Sequence, residues 1–364
     1  MEIGIVGLPN VGKSTLFNAL ASAQAPASNY PFCTIDPNIA IVEVPEGRLD
    51  ALAEIVKPGK VTHPLLKFVD IAGLARGAHK GEGLGNLFLS HIRNVDAIAH
   101  TVRCFEDTSV VHVEGENDPR RDIEIIEAEL FLADIEIVER RLAKIANLAK
   151  SGDEHARKEM ALLGSVKASL DGGRRFVLTD TGDHEMEAAL KDLNLLSSKP
   201  VIFCANVDEN LSSGAPAAML AAVEDMARQR DTVAVPICAK LEAEIGELDP
   251  EDGAAMLKEI GFEGSAIQRF VRACYDLLQV VTFFTIKGEE TRGWTVRRGT
   301  GMRDAAGRIH TDMYDKFICA EVISLDQFKA CGGLTHAREK GLVRTEGKNY
   351  KVEDGDIVLV KFGK

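Results

Sequence analysis

No stretch of this chain reaches the ~18–20 consecutive apolar residues that a bilayer span needs. The opening MEIGIVGLPN lacks the basic start and small-residue cleavage site of a secretory leader. A membrane role is therefore not expected, and the cytoplasm is the expected location. Cysteine is present without a pattern: seven residues, with no CxxC and no Cys/His ligand spacing. That usage argues against a disulfide scaffold or a zinc module and for a reducing compartment. Positive charge is also in deficit. Lys+Arg 43 against Asp+Glu 56 leaves −13, which excludes a uniformly basic nucleic-acid binder. The composition is that of a folded protein, 45% apolar and 27% charged over 364 residues, long enough for two or three domains with buried cores. Residues 279–364 hold 15 basic and 12 acidic side chains, against 28 and 44 in the rest, so only the tail is slightly basic.

EIGIV at 2–6 reads as a buried parallel strand, followed by a glycine loop and the helical KSTLFNALASA. Further apolar runs at Ile39–Val44, Leu65–Val69, Ala97–Val102, Pro200–Ala205 and Val233–Pro236 alternate with helical segments. That alternation predicts an α/β fold with a mostly parallel, right-handed sheet. From 119 to 199 the pattern changes. Asp118-Pro119 is a helix start, and Ile123, Ile126, Leu130, Ala133, Ile137, the Arg141 stem and Ile145 recur at spacings of three and four. A long helix is expected, paired with one over Glu154–Leu170 as an antiparallel coiled-coil hairpin. Its tip would carry Arg140, Arg141, Lys144, Lys150, Arg157 and Lys158, either as a solvated end or as a contact for RNA or protein. From 279 short β-branched strands return, with a turn at Asp354-Gly355. The expected domains are 1–118 with 200–278, a helical insertion at 119–199, and a small β-rich domain at 279–364.

The chemistry is concentrated in Gly7-Leu8-Pro9-Asn10-Val11-Gly12-Lys13-Ser14-Thr15, a GxxxxGK[ST] loop between strand and helix. Glycines let backbone N–H groups converge on phosphates, and the helix aims its positive end at them. Lys13 would reach the β/γ-phosphates and the Ser14 hydroxyl would ligate Mg²⁺. Asp70, ending LLKFVD at the carboxyl end of a strand and opening DxxG, would hold that metal through water. The Gly73 N–H could sense the γ-phosphate, and Thr34, in NYPFCTID, could complete the metal shell. Leu74 follows DxxG where many switch NTPases carry a water-orienting glutamine, so hydrolysis is either slow or served by another group. Asn10 is a candidate K⁺ ligand beside the phosphates. His112 and His79 are candidate proton carriers.

The base should be read after a later strand, at Asn206-Val207-Asp208-Glu209. The guanine-reading pattern Asn-Lys-x-Asp is altered there: Val207 replaces lysine and Glu209 replaces the forking aspartate. The Asn206 amide could instead pair with the N6/N7 edge of adenine. A site without a partner for guanine's two donors would disfavour GTP by ~1–3 kcal/mol. Cys238, Ala239 and Lys240, after the next strand, fit a second base-contacting loop.

GLPNVGKST at 7–15, NYPFCTIDPN at 29–38, DIAGLARGAHKGEGLGN at 70–86, NVDE at 206–209, GRIHTDMYDKFICAEVI at 307–323 and DGDIVLVKF at 354–362 together resemble the YchF-type, Obg-related P-loop NTPases. The resemblance covers essentially the whole chain. It implies an OBG-type G domain, a coiled-coil insertion and a C-terminal TGS domain of ubiquitin-like β-grasp fold. It also implies ATP hydrolysis in preference to GTP, and association with ribosomes. By position, Asn10, Val11, Gly12, Lys13, Ser14 and Thr15 would bind phosphate and metal, and Asn206, Val207, Cys238 and Ala239 would line the adenine. The expected protein is a slow, monomeric, nucleotide-switched ATPase using Mg²⁺ and a K⁺ ion. An Obg-like GTPase, a ribosome- or RNA-binding module with structural nucleotide, and a small-acceptor kinase are the alternatives.

Overall fold

The computed structural model describes residues 1–23, 38–71, 84–107, 110, 112–113, 115–176, 183–209, 215–259 and 264–363. Strands among them, in chain order, are β1 (Glu2–Val6), β2 (Ile39–Glu43), β3 (Lys60–Thr62), β4 (Leu65–Asp70), β5 (Ala97–Cys104), β6 (Val201–Val207), β7 (Ala234–Ile237), β8 (Val280–Lys287), β9 (Glu290–Arg297), β10 (Phe317–Ser324), β11 (Arg344–Glu346) and β12 (Asp356–Phe362). The first helices are α1 (Lys13–Ser22), α2 (Gly47–Val56), α3 (Leu84–Asn94), α4 (Pro119–Lys150) and α5 (Glu154–Asp171); later ones are named by their residues. The chain forms two compact units. One gathers residues 1–22, 38–40 and the described part of 68–267, and the other gathers 41–67 and 268–363.

In the first unit the strands run in the order β2-β4-β1-β5-β6-β7. Neighbours from β1 through β5 and β6 to β7 pair in parallel. All of the sheet's apolar runs expected from the sequence become strands, with ends shifted by one or two residues. β5 is buried along its whole length, as a central parallel strand covered by helices must be. Val6, Ile92, Val95 and Ile126 pack in one apolar cluster; Val102, Phe203, Val223 and Met226 pack in another. The strand order reverses at β1, which has β4 on one side and β5 on the other, and that reversal opens a crevice at the carboxyl ends.

The helical insertion follows its sequence cues. Asp118 accepts the N–H groups of Arg120 and Arg121 at 3.1 and 3.3 Å, ahead of Pro119 at the first helical position. α4 then runs 32 residues, about 48 Å at the helical rise. Asp153 restarts the chain by accepting from Ala156 N–H at 2.8 Å. Val138, Ile145, Leu163, Val166 and Leu170 form the α4–α5 seam. Arg141, expected to lay its stem along that seam, forks its guanidinium onto Glu159 at 2.6 and 3.1 Å.

The second unit holds a sheet ordered β11-β10-β12-β8-β9-β3. β8 and β9 form a hairpin, β10 and β12 pair antiparallel, and β8 and β12 run parallel in the middle. With helix Met302–Ile309 after the first hairpin, this is the expected β-grasp arrangement, and the turn at Asp354-Gly355 (Gly355 φ +90°) is where the sequence places it. Helices Thr311–Asp315, Leu325–Cys331 and Leu334–Glu339 were not anticipated. The unit also departs from its expected boundary. β3 adds in parallel to β9, and Leu49 and Leu52 of α2 pack with Phe284, Ile323 and Phe328. Arg48 reaches Asp354 at 2.6 Å and the buried Glu46 at 2.7 Å, and these carboxylates hold its charge firmly on. Residues 41–67 thus belong with the C-terminal strands, while 119–199 group with the first unit. Among the described residues no helix is long and apolar enough to cross a membrane.

Candidate functional site

The loop after β1 is shaped by close approach. A Cβ on Gly7 would lie 2.8 Å from the Thr101 carbonyl oxygen, and one on Gly12 would lie 2.0 Å from Asn206 Nδ2. Asn10 and Gly12 both have positive φ, 65° and 88°, so the chain doubles back before α1 begins at Lys13. The first turn of α1 therefore leaves its unpaired N–H groups at the crevice, an arrangement suited to an anion.

Lys13 Nζ is ion-paired to Asp70. Asp70 sits at the end of β4, where its own N–H donates to the Asn38 carbonyl at 2.9 Å. The two groups assigned to phosphate and metal are thus brought into contact. Ser14, next to Lys13 in the chain, lines the cleft, whereas Lys13 and Asp70 are not among its lining residues. A hydroxyl and a carboxylate are hard oxygen donors, the set that Mg²⁺ takes alongside phosphate oxygens and water. No group of three His, Cys, Asp or Glu side chains among the described residues could hold a metal without phosphate. The donors present fit a magnesium ion that arrives with a nucleotide. Asn10 provides an amide at the lip of the same cleft, chemically fit for K⁺. Thr34, Gly73, Leu74 and His79 lie outside the described residues.

Asn206 does more than the sequence reading gave it. Its Nδ2 donates to the Val11 carbonyl at 2.9 Å, and its Oδ1 accepts the Ala239 N–H at 3.1 Å. Both ends of the amide hold backbone, so the side chain is a strut between the phosphate loop and the start of helix Ala239–Ile245, while its second N–H and second lone pair remain on a residue that lines the cleft. Val11 and Ala239 are likewise buried behind the cleft and act through that strut.

The cleft itself measures about 640 Å³, a volume in the range of small-molecule sites. One wall is Asn10, Gly12, Ser14 and Thr15; a second is Asn206–Glu209; a third is Cys238 and Lys240. Burial pushes the Cys238 thiol up, so it meets a ligand as a neutral, soft surface. Glu209 turns toward Lys240 at 4.0 Å. The fourth wall, Phe105 to Asp107 with Val110, was missed from sequence. Its signal was available: an arginine inside a fully buried strand, followed by an aromatic just past the strand's carboxyl end.

His112 is buried, with Nε2 2.8 Å from Asp122 Oδ2. Burial raises the Asp122 carboxyl against the opposing pull of His112 and Arg121. The histidine follows the fourth wall in sequence and is not among the residues lining the cleft.

The family described as "50S ribosome-binding GTPase" matches residues 2–149, and the YchF GTPase C-terminal family, described as a protein of unknown function, matches 280–363. The chain is 44% identical to "Ribosome-binding ATPase YchF" of Bacillus subtilis, over 100% of this chain and 99% of the relative. It is 46% identical to the protein of that name from Escherichia coli O157:H7, over 99% of both. The solved structure of the Schizosaccharomyces pombe YchF GTPase superposes with a TM-score of 0.87 at 34% identity, covering 99% of this chain and 97% of that one. Phosphate loop, helical hairpin and β-grasp unit occur here in one chain, in that order, and at these identities over full length the chain belongs to the YchF family of P-loop NTPases.

Proposed function

We propose that this chain is a ribosome-associated ATPase of the cytoplasm, a monomer that binds Mg·ATP in preference to GTP, hydrolyses it slowly and switches with the nucleotide. The observation that carries the reading is the cleft between the Lys13 loop and the Val207–Glu209 wall. Its base end offers Phe105, Val207 and a neutral thiol, and the position of the guanine-reading aspartate holds Glu209, drawn to Lys240. The bacterial relatives are named ATPases and the fission-yeast protein a GTPase, so base choice has to be argued from these walls. Adenine preference then comes from the apolar slot and the missing fork, with the remaining N–H and lone pair of the Asn206 amide available to the base.

In this reading Lys13 leaves Asp70 for the β/γ-phosphates. Ser14 and Thr34, with Asp70 through water, hold the Mg²⁺, which supplies charge neutralisation at the phosphates. The Gly73 N–H senses the γ-phosphate and Asn10 places K⁺ beside it. Leu74 cannot orient water, which supports slow turnover, and His112 is the candidate group to move a proton. Functionally, 1–118 with 200–278 act as the nucleotide domain, 119–199 as the hairpin arm and 279–364 as the TGS-type module. The arm supports ribosome contact: near its turn Lys144, Lys150 and Lys158 are exposed and enter no ion pair among the described residues, unlike Arg141 and Lys167 on its shaft.

The test is affinity and turnover with ATP, GTP and CTP plus Mg²⁺, in K⁺ and in Na⁺. Equal or tighter GTP binding sinks the adenine assignment, and indifference to K⁺ removes the role of Asn10. A Lys13→Ala chain that still cycles normally on ribosomes would instead favour a binding module with structural nucleotide.

A further inference from the structure

Arg103 is the one arginine or lysine in β5, and it is 2% exposed. Among the described residues its guanidinium enters no ion pair. Its three nitrogens instead donate to main-chain carbonyls: Nε to Phe105 at 3.2 Å, one terminal nitrogen to Asp107 at 3.2 Å and the other to Val110 at 3.0 Å. Those residues are the fourth wall of the cleft. The guanidinium carbon also stands 4.5 Å from the centroid of the Phe105 ring, within cation–π range. From the other side Asn117 Nδ2 donates to the same Phe105 carbonyl at 3.0 Å.

A buried charge with no carboxylate in direct contact is expensive, and burial pulls the guanidinium's pKa down against the opposing charges of Asp107 and Asp122. A neutral amide such as Asn117 could hold one carbonyl at far lower cost. The guanidinium adds a planar fork that spans six residues of loop and a flat cation against one ring. With that face covered, the remainder of the ring exposed in the cleft is what a base can meet. Arg103 also pairs in register with Asn206 on β6, so the two side chains that brace opposite walls leave the sheet at the same level.

We propose that Arg103 is a positioning residue for the nucleobase. It fixes Phe105 and the main chain at Asp107 and Val110 as a rigid stacking wall, and base affinity depends on it although it touches no nucleotide. This rests on the ATPase reading of the cleft.

The experiment uses the full chain, wild type and Arg103→Lys, Phe105→Ala and the double variant, titrated with Mg·ATP and with Mg·tripolyphosphate, a probe without a base. Arg103→Lys keeps the charge and loses the fork. It should weaken ATP by about tenfold, the scale of one base–aromatic stack, and leave tripolyphosphate within about twofold. In the Phe105→Ala background the same change should have little further effect on ATP. ATP binding as tight as wild type, equal loss with both probes, or full additivity with Phe105→Ala would each overturn the proposal. Asn117→Ala loosens the same carbonyl from the surface and should show the same split between probes; if Arg103→Lys fails to fold, an unchanged ATP affinity in Asn117→Ala overturns it. Wild type that binds neither probe overturns the ATPase reading as well, and is told apart by that.

Discussion

The amide nitrogen of Asn206 occupies the space that a side chain on Gly12 would need: a Cβ there would lie 2.0 Å away. The same nitrogen donates to the Val11 carbonyl, 195 positions away, so the loop's second glycine is required by a residue from a distant strand and by its φ of +88°. Gly12→Ala must push Asn206 out, freeing the Val11 carbonyl and the Ala239 N–H together. Leaving such groups unpaired costs ~1–3 kcal/mol each. Calorimetry should show ATP affinity down by more than about tenfold in Gly12→Ala and in Asn206→Ala alike.

In the proposed reading Lys13 and Asp70 would each give up the other for Mg·ATP. Their side chains are 11% and 21% exposed, and a pair of this kind is worth about 0.2–1 kcal/mol. Asp70→Asn removes that competition. ATP without metal should bind up to about fivefold tighter, while the gain on adding Mg²⁺ shrinks. Titrations with and without Mg²⁺ separate the two effects.

The lysines near the hairpin turn should set the salt dependence of ribosome binding. Each phosphate contact contributes about 0.7–0.9 to the slope of log affinity against log salt. Replacing Lys144, Lys150 and Lys158 with alanine should flatten that slope by about two and leave ATP turnover off the ribosome unchanged. Sedimentation with ribosomes across a salt series is the measurement.

His100 sits in β5 with its ring centroid 5.6 Å from that of Phe203. Burial, helped by the charge of Arg230, pulls its pKa from 6.5 to about 3. A depressed pKa means that the unfolded chain takes up the proton first. The stability this histidine permits is full above pH 6.5 and is lost progressively as pH falls toward 3. The slope approaches ~1.4 kcal/mol per pH unit, about 2 kcal/mol between pH 6.5 and 5. Urea midpoints at pH 7 and pH 5 should lie further apart in wild type than in His100→Phe.

Local features were legible along the chain. The phosphate loop, with a buried strand before it and a helix after it, could be read because its geometry depends on neighbours within about ten residues. Asp118-Pro119 named the start of α4 for the same reason. The strut role of Asn206 was not legible, since its partners Val11 and Ala239 come from other segments. The Phe105 wall went unread because Arg103 in an apolar strand can mean several things until its donors are seen to meet three carbonyls.

β3 makes the division plain. Three residues, Lys60 to Thr62, carry too little pattern to choose a partner, and the Thr62 hydroxyl finds Glu290 across 228 positions. Spacing along the chain dictated where the glycine loop turns and where helices begin, because those properties arise from backbone conformation over a few turns. Which amide braces the loop, which ring walls the cleft, and which unit takes residues 41–67 were settled by packing between distant segments, whose energies exist only once the chain has closed on itself.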